Sequence, residues 1–82
     1  MSGRPDDAAI AEALMDLAHR RGSGASFCPS EVARALADDW RPLMPGVRRV
    51  AATLPLTATR GGVPVDAQAG GGPIRLRLRG AE

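Results

Sequence analysis

The chain has 82 residues, 44% of them hydrophobic and 24% charged, with a formal net charge of +2; a domain this short hides only about 60–65% of its unfolded surface, so its core must be lean. With one phenylalanine, one tryptophan and no tyrosine, it has little material for base-stacking platforms or an aromatic substrate cage. A single cysteine excludes an internal disulfide and fits a reducing compartment; the opening MSGRPDDAAI lacks the apolar stretch of a signal peptide and no run approaches the roughly 18 residues of a membrane span, so a cytoplasmic protein with no membrane partner is expected.

DDAAIAEALMDLAHRRG predicts a first helix near 7–21. Ile10, Leu14 and Leu17 fall at i, i+4 and i+7 with Ala13 and Ala18 beside them, which makes one apolar stripe. Asp6 or Asp7 can cap its start. His19, Arg20 and Arg21 suit the negative end of the helix dipole, and Gly22 offers a left-handed exit. GSGASF is a loop, with Ser26 and Phe27 extended enough to pair with a later strand.

A second helix is predicted near 29–38, with Pro29 at its first position, where a missing amide hydrogen costs nothing. Glu31 lies in its first turn, and Val32, Ala35 and Leu36 turn inward. WRPLMPGVRRVAATLP predicts a third helix near 43–54. Pro42 or Pro45 fits its first turn, and Pro55 closes it. At 100° per residue, Val47, Val50, Ala51 and Leu54 share one arc and Arg48, Arg49, Ala52 and Thr53 the opposite one.

The period then changes from helical to alternating. LTATR and PIRLRLR predict strands near 56–60 and 74–79, with Ile74, Leu76 and Leu78 facing one way and Arg75, Arg77 and Arg79 the other. The glycine-rich stretch between them, 61–73, is expected to be a flexible wing loop. The fold expected is mainly α with a small β wing (α+β): a winged helix-turn-helix of three helices followed by a two-stranded antiparallel hairpin, one domain over 1–82.

CPSEVARAL, WRPLMPGVR, GGVPVD and GPIRLRLR, in that order, resemble the bacterial domain-of-unknown-function family 3253, over about Ile10 to Arg79. The resemblance implies a small winged-helix-like domain. It implies no activity, since the family is named for lacking an assigned one.

Enzyme chemistry has little to stand on. A reactive thiol at Cys28 would need an activating base, yet the only histidine, His19, lies at the far end of another helix. A zinc site would need about four close ligands, which the chain does not supply. Asp38 and Asp39 are adjacent, so on a helix they would point apart. GGVPVDAQAGGG is followed neither by a helix nor by a Gly-Lys-Ser/Thr motif, against a phosphate-cradling loop. Cys28 is therefore read as the doorway of the second helix and Trp40 as a core plug between the second and third helices. No catalytic residue, metal or cofactor is expected.

The arginines are the remaining signal. Residues 1–40 carry four arginines against seven acids (net −3), and residues 41–82 carry seven against two (net +5). Such a one-sided field suits an anionic partner. In a helix-turn-helix the later helix enters the major groove while the wing meets backbone or minor groove. Arg48, Arg49 and Thr53 on the third helix, with Arg60, Arg75, Arg77 and Arg79 on the wing, are thus the predicted contacts to double-stranded DNA, in a module the size of a small transcriptional regulator. The alternative is a protein–protein interaction module on the same scaffold, its acidic first helix (Asp6, Asp7, Glu12, Asp16) facing a basic partner or its wing edge accepting a strand.

Overall fold

A computed structural model describes residues 5–70 and 72–79; the ends of the predicted 1–82 domain lie outside them. Helix α1 spans Asp7–Arg21. Of the two aspartates able to cap it, Asp6 does so: its backbone is extended and its carboxylate accepts the Ala9 amide at 2.9 Å. The helix ends where Gly22 turns to φ 81° and gives its N–H to the Ala18 carbonyl. Ile10, Leu14 and Ala18 are buried, while Leu17 and Ala13 are half-buried. The stripe is thus rotated toward Ala18, whose small side chain lets the core approach closely.

Helix α2, Pro29–Leu36, has Cys28 as its N-cap and Pro29 at its first position. The Glu31 carboxylate reaches back to accept the Cys28 N–H at 3.0 Å, one half of a capping box. The helix stops two residues before the predicted end, because Ala37 swings to extended backbone (φ −159°, ψ 149°). Both prolines of WRPLMPG then find a use: Pro42 sits in a 3₁₀ turn, Arg41–Leu43, and Pro45 in the first turn of α3, Met44–Ala51. The predicted 43–54 helix is accordingly shorter at its end, since Thr53 and Leu54 bond to the Val50 and Ala51 carbonyls in tightening turns before Pro55. Val47, Val50 and Ala51 are buried as their arc required.

The predicted two-stranded hairpin is corrected to a three-stranded antiparallel sheet. Strands β1 (Leu56–Arg60), β2 (Val63–Val65) and β3 (Arg75–Leu78) lie in the order β2-β1-β3. Gly61 and Gly62, at φ 59° and 83°, form a two-residue turn whose left-handed backbone suits strand twist, so the chain folds back at once and β2 pairs Val63 with Arg60 and Val65 with Ala58. Part of the expected wing loop is therefore strand. On the other side β3 pairs Leu76 with Ala58 and Leu78 with Leu56. Beyond β3, Phe27 makes a bridge to Leu76 through two backbone bonds of 2.7 Å, realising the short extended segment expected there.

All three helices and one sheet face enclose a single cluster containing Ile10, Leu14, Phe27, Val32, Val47, Leu56, Ile74 and Leu76. After β2 the chain turns at Asp66, whose carboxylate accepts the Gln68 amide and whose carbonyl accepts that of Ala69, both at 2.8 Å. It then buries Ala67 beside Ala51, Leu56 and Ala58. The connection between β2 and β3 thus packs against α3 and the sheet instead of projecting as a free tip. In β2 the residue whose backbone faces away from β1 is Pro64, so that edge offers another strand a carbonyl but no N–H.

Candidate nucleic-acid interface

The structure divides the seven predicted contacts into three groups. Those on α3 and its exit are engaged inside the domain. Arg49 grips the Asp7 carboxylate with both guanidinium nitrogens, at 2.7 and 2.9 Å, tying α3 to the first turn of α1. This pair holds the Asp7 carboxyl below its ordinary pKa and raises that of Arg49. Arg48 donates to the Gly72 carbonyl at 3.2 Å, and its Nε is shut off from water with no hydrogen-bond partner among the described residues. Thr53 turns its hydroxyl onto the Val50 carbonyl at 2.7 Å.

Arg60 forms the second group. It is half-buried and spans the segment before β3, donating to the carbonyls of Ala69 (3.3 Å), Gly72 (3.0 Å) and Pro73 (3.4 Å). Arg48 and Arg60 therefore meet at one carbonyl and clasp the β2–β3 connection from two sides.

The third group is the row along β3 and its exit. Arg75, Arg77 and Arg79 alternate with the core residues Ile74 and Leu76 and are exposed on the opposite face of the sheet. Arg75 donates to the Ser26 hydroxyl and carbonyl, both at 3.0 Å. Arg77 and Arg79 make no side-chain hydrogen bond or ion pair with any described residue. Thr57 and Thr59 of β1 stand directly across from Arg77 and Arg75. The guanidiniums thus do not gather into one strip. The α3 pair belongs to the helical layer, and the β3 row stands on the solvent side of the sheet.

A partner that sequence reasoning missed is Glu31. Besides capping α2, it accepts from Arg21 at 2.5 Å, with Arg75 close enough to act on its charge. The Cys28 amide, then the Arg21 and Arg75 guanidiniums, hold its carboxyl below the ordinary value of 4.5, against the opposing effect of burial. A carboxylate whose folded pKa is depressed stabilises the fold fully above the unfolded value and loses that contribution as pH falls through the folded one. Glu31→Gln is accordingly expected to melt below wild type at neutral pH by a modest margin, since the pair is over a third exposed. The two melting curves should converge under acid, as pH falls through the lowered folded pKa, a trend that thermal melts in a pH series would record.

A family model described as a protein of unknown function, DUF3253, matches residues 7–79. The chain belongs to that family. The DUF3253 match covers every helix and strand and begins at Asp7, the partner of Arg49, three residues before the stretch that the sequence motifs span. No curated protein matches the sequence. DUF3253 membership brings no chemistry of its own, so the residues must supply it. In this DUF3253 domain Cys28 sits at a helix N-cap with its sulfur 3.0 Å from the Ser30 hydroxyl, and His19 Nδ1 donates to the Met15 carbonyl of its own helix at 2.8 Å. Among the described residues no group of three or more histidines, cysteines, aspartates or glutamates stands where it could hold a metal ion, and no helix is long and apolar enough to cross a membrane.

Proposed function

We propose that this domain is a winged-helix module that binds double-stranded DNA by its phosphate backbone, through the outer face of the sheet and not by inserting α3 into a groove. The observation that carries the reading is the row along β3 and its exit: three exposed arginines at alternate positions, those within the strand about 6.8 Å apart by strand geometry, with Arg77 and Arg79 making no side-chain bond to any described residue and the Thr57 and Thr59 hydroxyls across from Arg77 and Arg75. Guanidinium forks match phosphate oxygens bidentately, and hydroxyls on the same face add donors. The order of elements supports the scaffold: α1, the Phe27 bridge, α2, α3, then the sheet. The predicted roles of Arg48, Arg49 and Arg60 as contacts are weakened by their internal bonds. The same pairing weakens the protein-module alternative, since Asp7 and Asp16 are matched by Arg49 and Arg20 and Pro64 leaves the β2 edge without a donor at its outward position.

Backbone contacts release counterions, so affinity for duplex should fall steeply with salt, and each lost phosphate contact should flatten the log–log slope by roughly one unit. Arg77→Ala/Arg79→Ala is expected to reduce the slope by about two units while leaving the melting temperature near wild type, because both side chains are exposed. Fluorescence anisotropy of a labelled duplex at several salt concentrations measures this. A wild-type protein that leaves the duplex free at low salt, or a double variant with an unaltered slope, refutes the proposal.

A further inference from the structure

Two guanidiniums converge on one carboxylate where the β3 row meets the helices. Arg21, the last residue of α1, donates to Glu31 at 2.5 Å, and Arg75, the first residue of β3, lies close enough to help lower the pKa of that carboxyl. Each partner is also held from behind. The Cys28 amide donates to Glu31 at 3.0 Å, and Arg75 donates to the Ser26 hydroxyl and carbonyl, both at 3.0 Å. Ser26 and Cys28 flank the Phe27 bridge to Leu76, so the cluster stands at the edge of the sheet beside β3. It is open to water, the Arg21 and Glu31 side chains being 39% and 36% exposed. Its charges do not balance. Among the described residues Glu31 is the acid paired with Arg21, and none is paired with Arg75, Arg77 or Arg79; the neighbouring Arg20 is matched by Asp16, one turn back.

We infer that the Glu31 carboxylate occupies a place on the duplex-binding row that a backbone phosphate would otherwise take, restraining affinity and concealing Arg21 as a further phosphate ligand; the inference rests on the backbone reading above. A carboxylate and a phosphate offer a guanidinium fork the same kind of paired acceptor oxygens. The group that satisfies Arg21 and attracts Arg75 in the unbound domain is therefore the one a phosphate competes with. Two arginines sharing one carboxylate keep one unit of surplus charge between them, so a phosphate that reaches Arg75 meets Glu31 as a like charge. The bond from the Cys28 amide keeps that carboxylate from swinging away. Capping the start of α2 needs an acceptor oxygen and no charge, and a glutamine supplies one. Charge and cap are thus separable at this position. A neutral amide leaves the helix start in place and releases both guanidiniums.

Full-length Glu31→Gln and Arg21→Ala chains are titrated with the labelled duplex over a series of salt concentrations. Asp16→Asn and Arg20→Ala, which make the same changes of charge at the neighbouring pair, serve as controls. With a log–log slope of about 0.9 per phosphate, one contact contributes roughly eightfold to affinity at 0.1 M salt relative to 1 M. Glu31→Gln is expected to bind about that much more tightly than wild type, with a slope steeper by about one unit. Arg21→Ala leaves Glu31 facing Arg75 alone and is expected to bind more weakly by a similar factor, with a slope flatter by about one unit. Thermal melts establish that each titrated chain is folded, and Arg21→Ala, which alters an exposed side chain, carries the test if Glu31→Gln melts below the assay temperature. A folded Glu31→Gln chain that binds no more tightly than wild type overturns the inference and leaves the backbone reading standing, as does an Arg21→Ala chain with an unaltered slope. Shifts of the same size in the two controls overturn it too, because net charge alone would then account for the effect. Wild-type protein that fails to bind duplex at low salt overturns the backbone reading itself, and the inference with it.

Discussion

Replacing Phe27 by alanine is expected to lower the stability of the domain by about 3–5 kcal/mol, a large share of the roughly 4–12 kcal/mol that about 0.05–0.15 kcal/mol per residue gives a domain of this length. Phe27 is 0% exposed and is the largest fully buried side chain among the described residues. The other buried members of the core are alanine, valine, leucine and isoleucine, and the second large ring, Trp40, packs only against its margin, half-buried. The cost is raised by where the residue stands. Its backbone exchanges two hydrogen bonds with Leu76, so the same position joins the α1–α2 connection to the edge of β3. A cavity here loosens the helical layer and the sheet together. Urea denaturation should show a lower midpoint with an unchanged slope; a loss under about 1 kcal/mol would mean that the core collapses onto the site far better than its packing suggests.

Arg60→Ala is expected to cost about 1–3 kcal/mol, the range for removing a charged donor from several carbonyls in a half-buried setting. Arg60 donates to the carbonyls of Ala69, Gly72 and Pro73, and Arg48 shares the Gly72 carbonyl. Without it the connection between β2 and β3 is held, among the described residues, by Arg48, by the turn at Asp66 and by the buried methyl of Ala67. Hydrogen exchange should therefore quicken at the Gln68 and Ala69 amides, which are held by Asp66, while the amides of α1 keep their protection. The salt slope of duplex binding should stay at the wild-type value. The opposite pattern, intact stability with a slope reduced by one unit, would return Arg60 to the role of a phosphate ligand.

Much of this architecture was legible in the chain. Asp6, Pro29, Gly22 and the apolar spacing of α1 act within a few residues, so the helix starts and its exit could be placed from local physics alone. The alternation of Ile74, Leu76 and Leu78 against Arg75, Arg77 and Arg79 likewise set the two faces of β3. The second strand was missed because Gly61 and Gly62 are embedded in a longer glycine-rich stretch; taken by themselves, two glycines between LTATR and VPV are a hairpin signal. The short end of α3 was missed because Ala52, Thr53 and Leu54 carry no helix breaker before Pro55.

The interface was harder to read, since a guanidinium's availability depends on what lies across from it. Nothing near Arg49 in the sequence announces Asp7, which is 42 positions away, and nothing near Arg48 announces Gly72. By itself the sequence determined the helices, the strand faces, the lean single core and the family, all of which follow from neighbours within a few residues or from the order of motifs. Only the tertiary structure decided which arginines are tied down and which remain open to an anion, because ion pairs and carbonyl clasps form between segments that the chain brings together only when it folds.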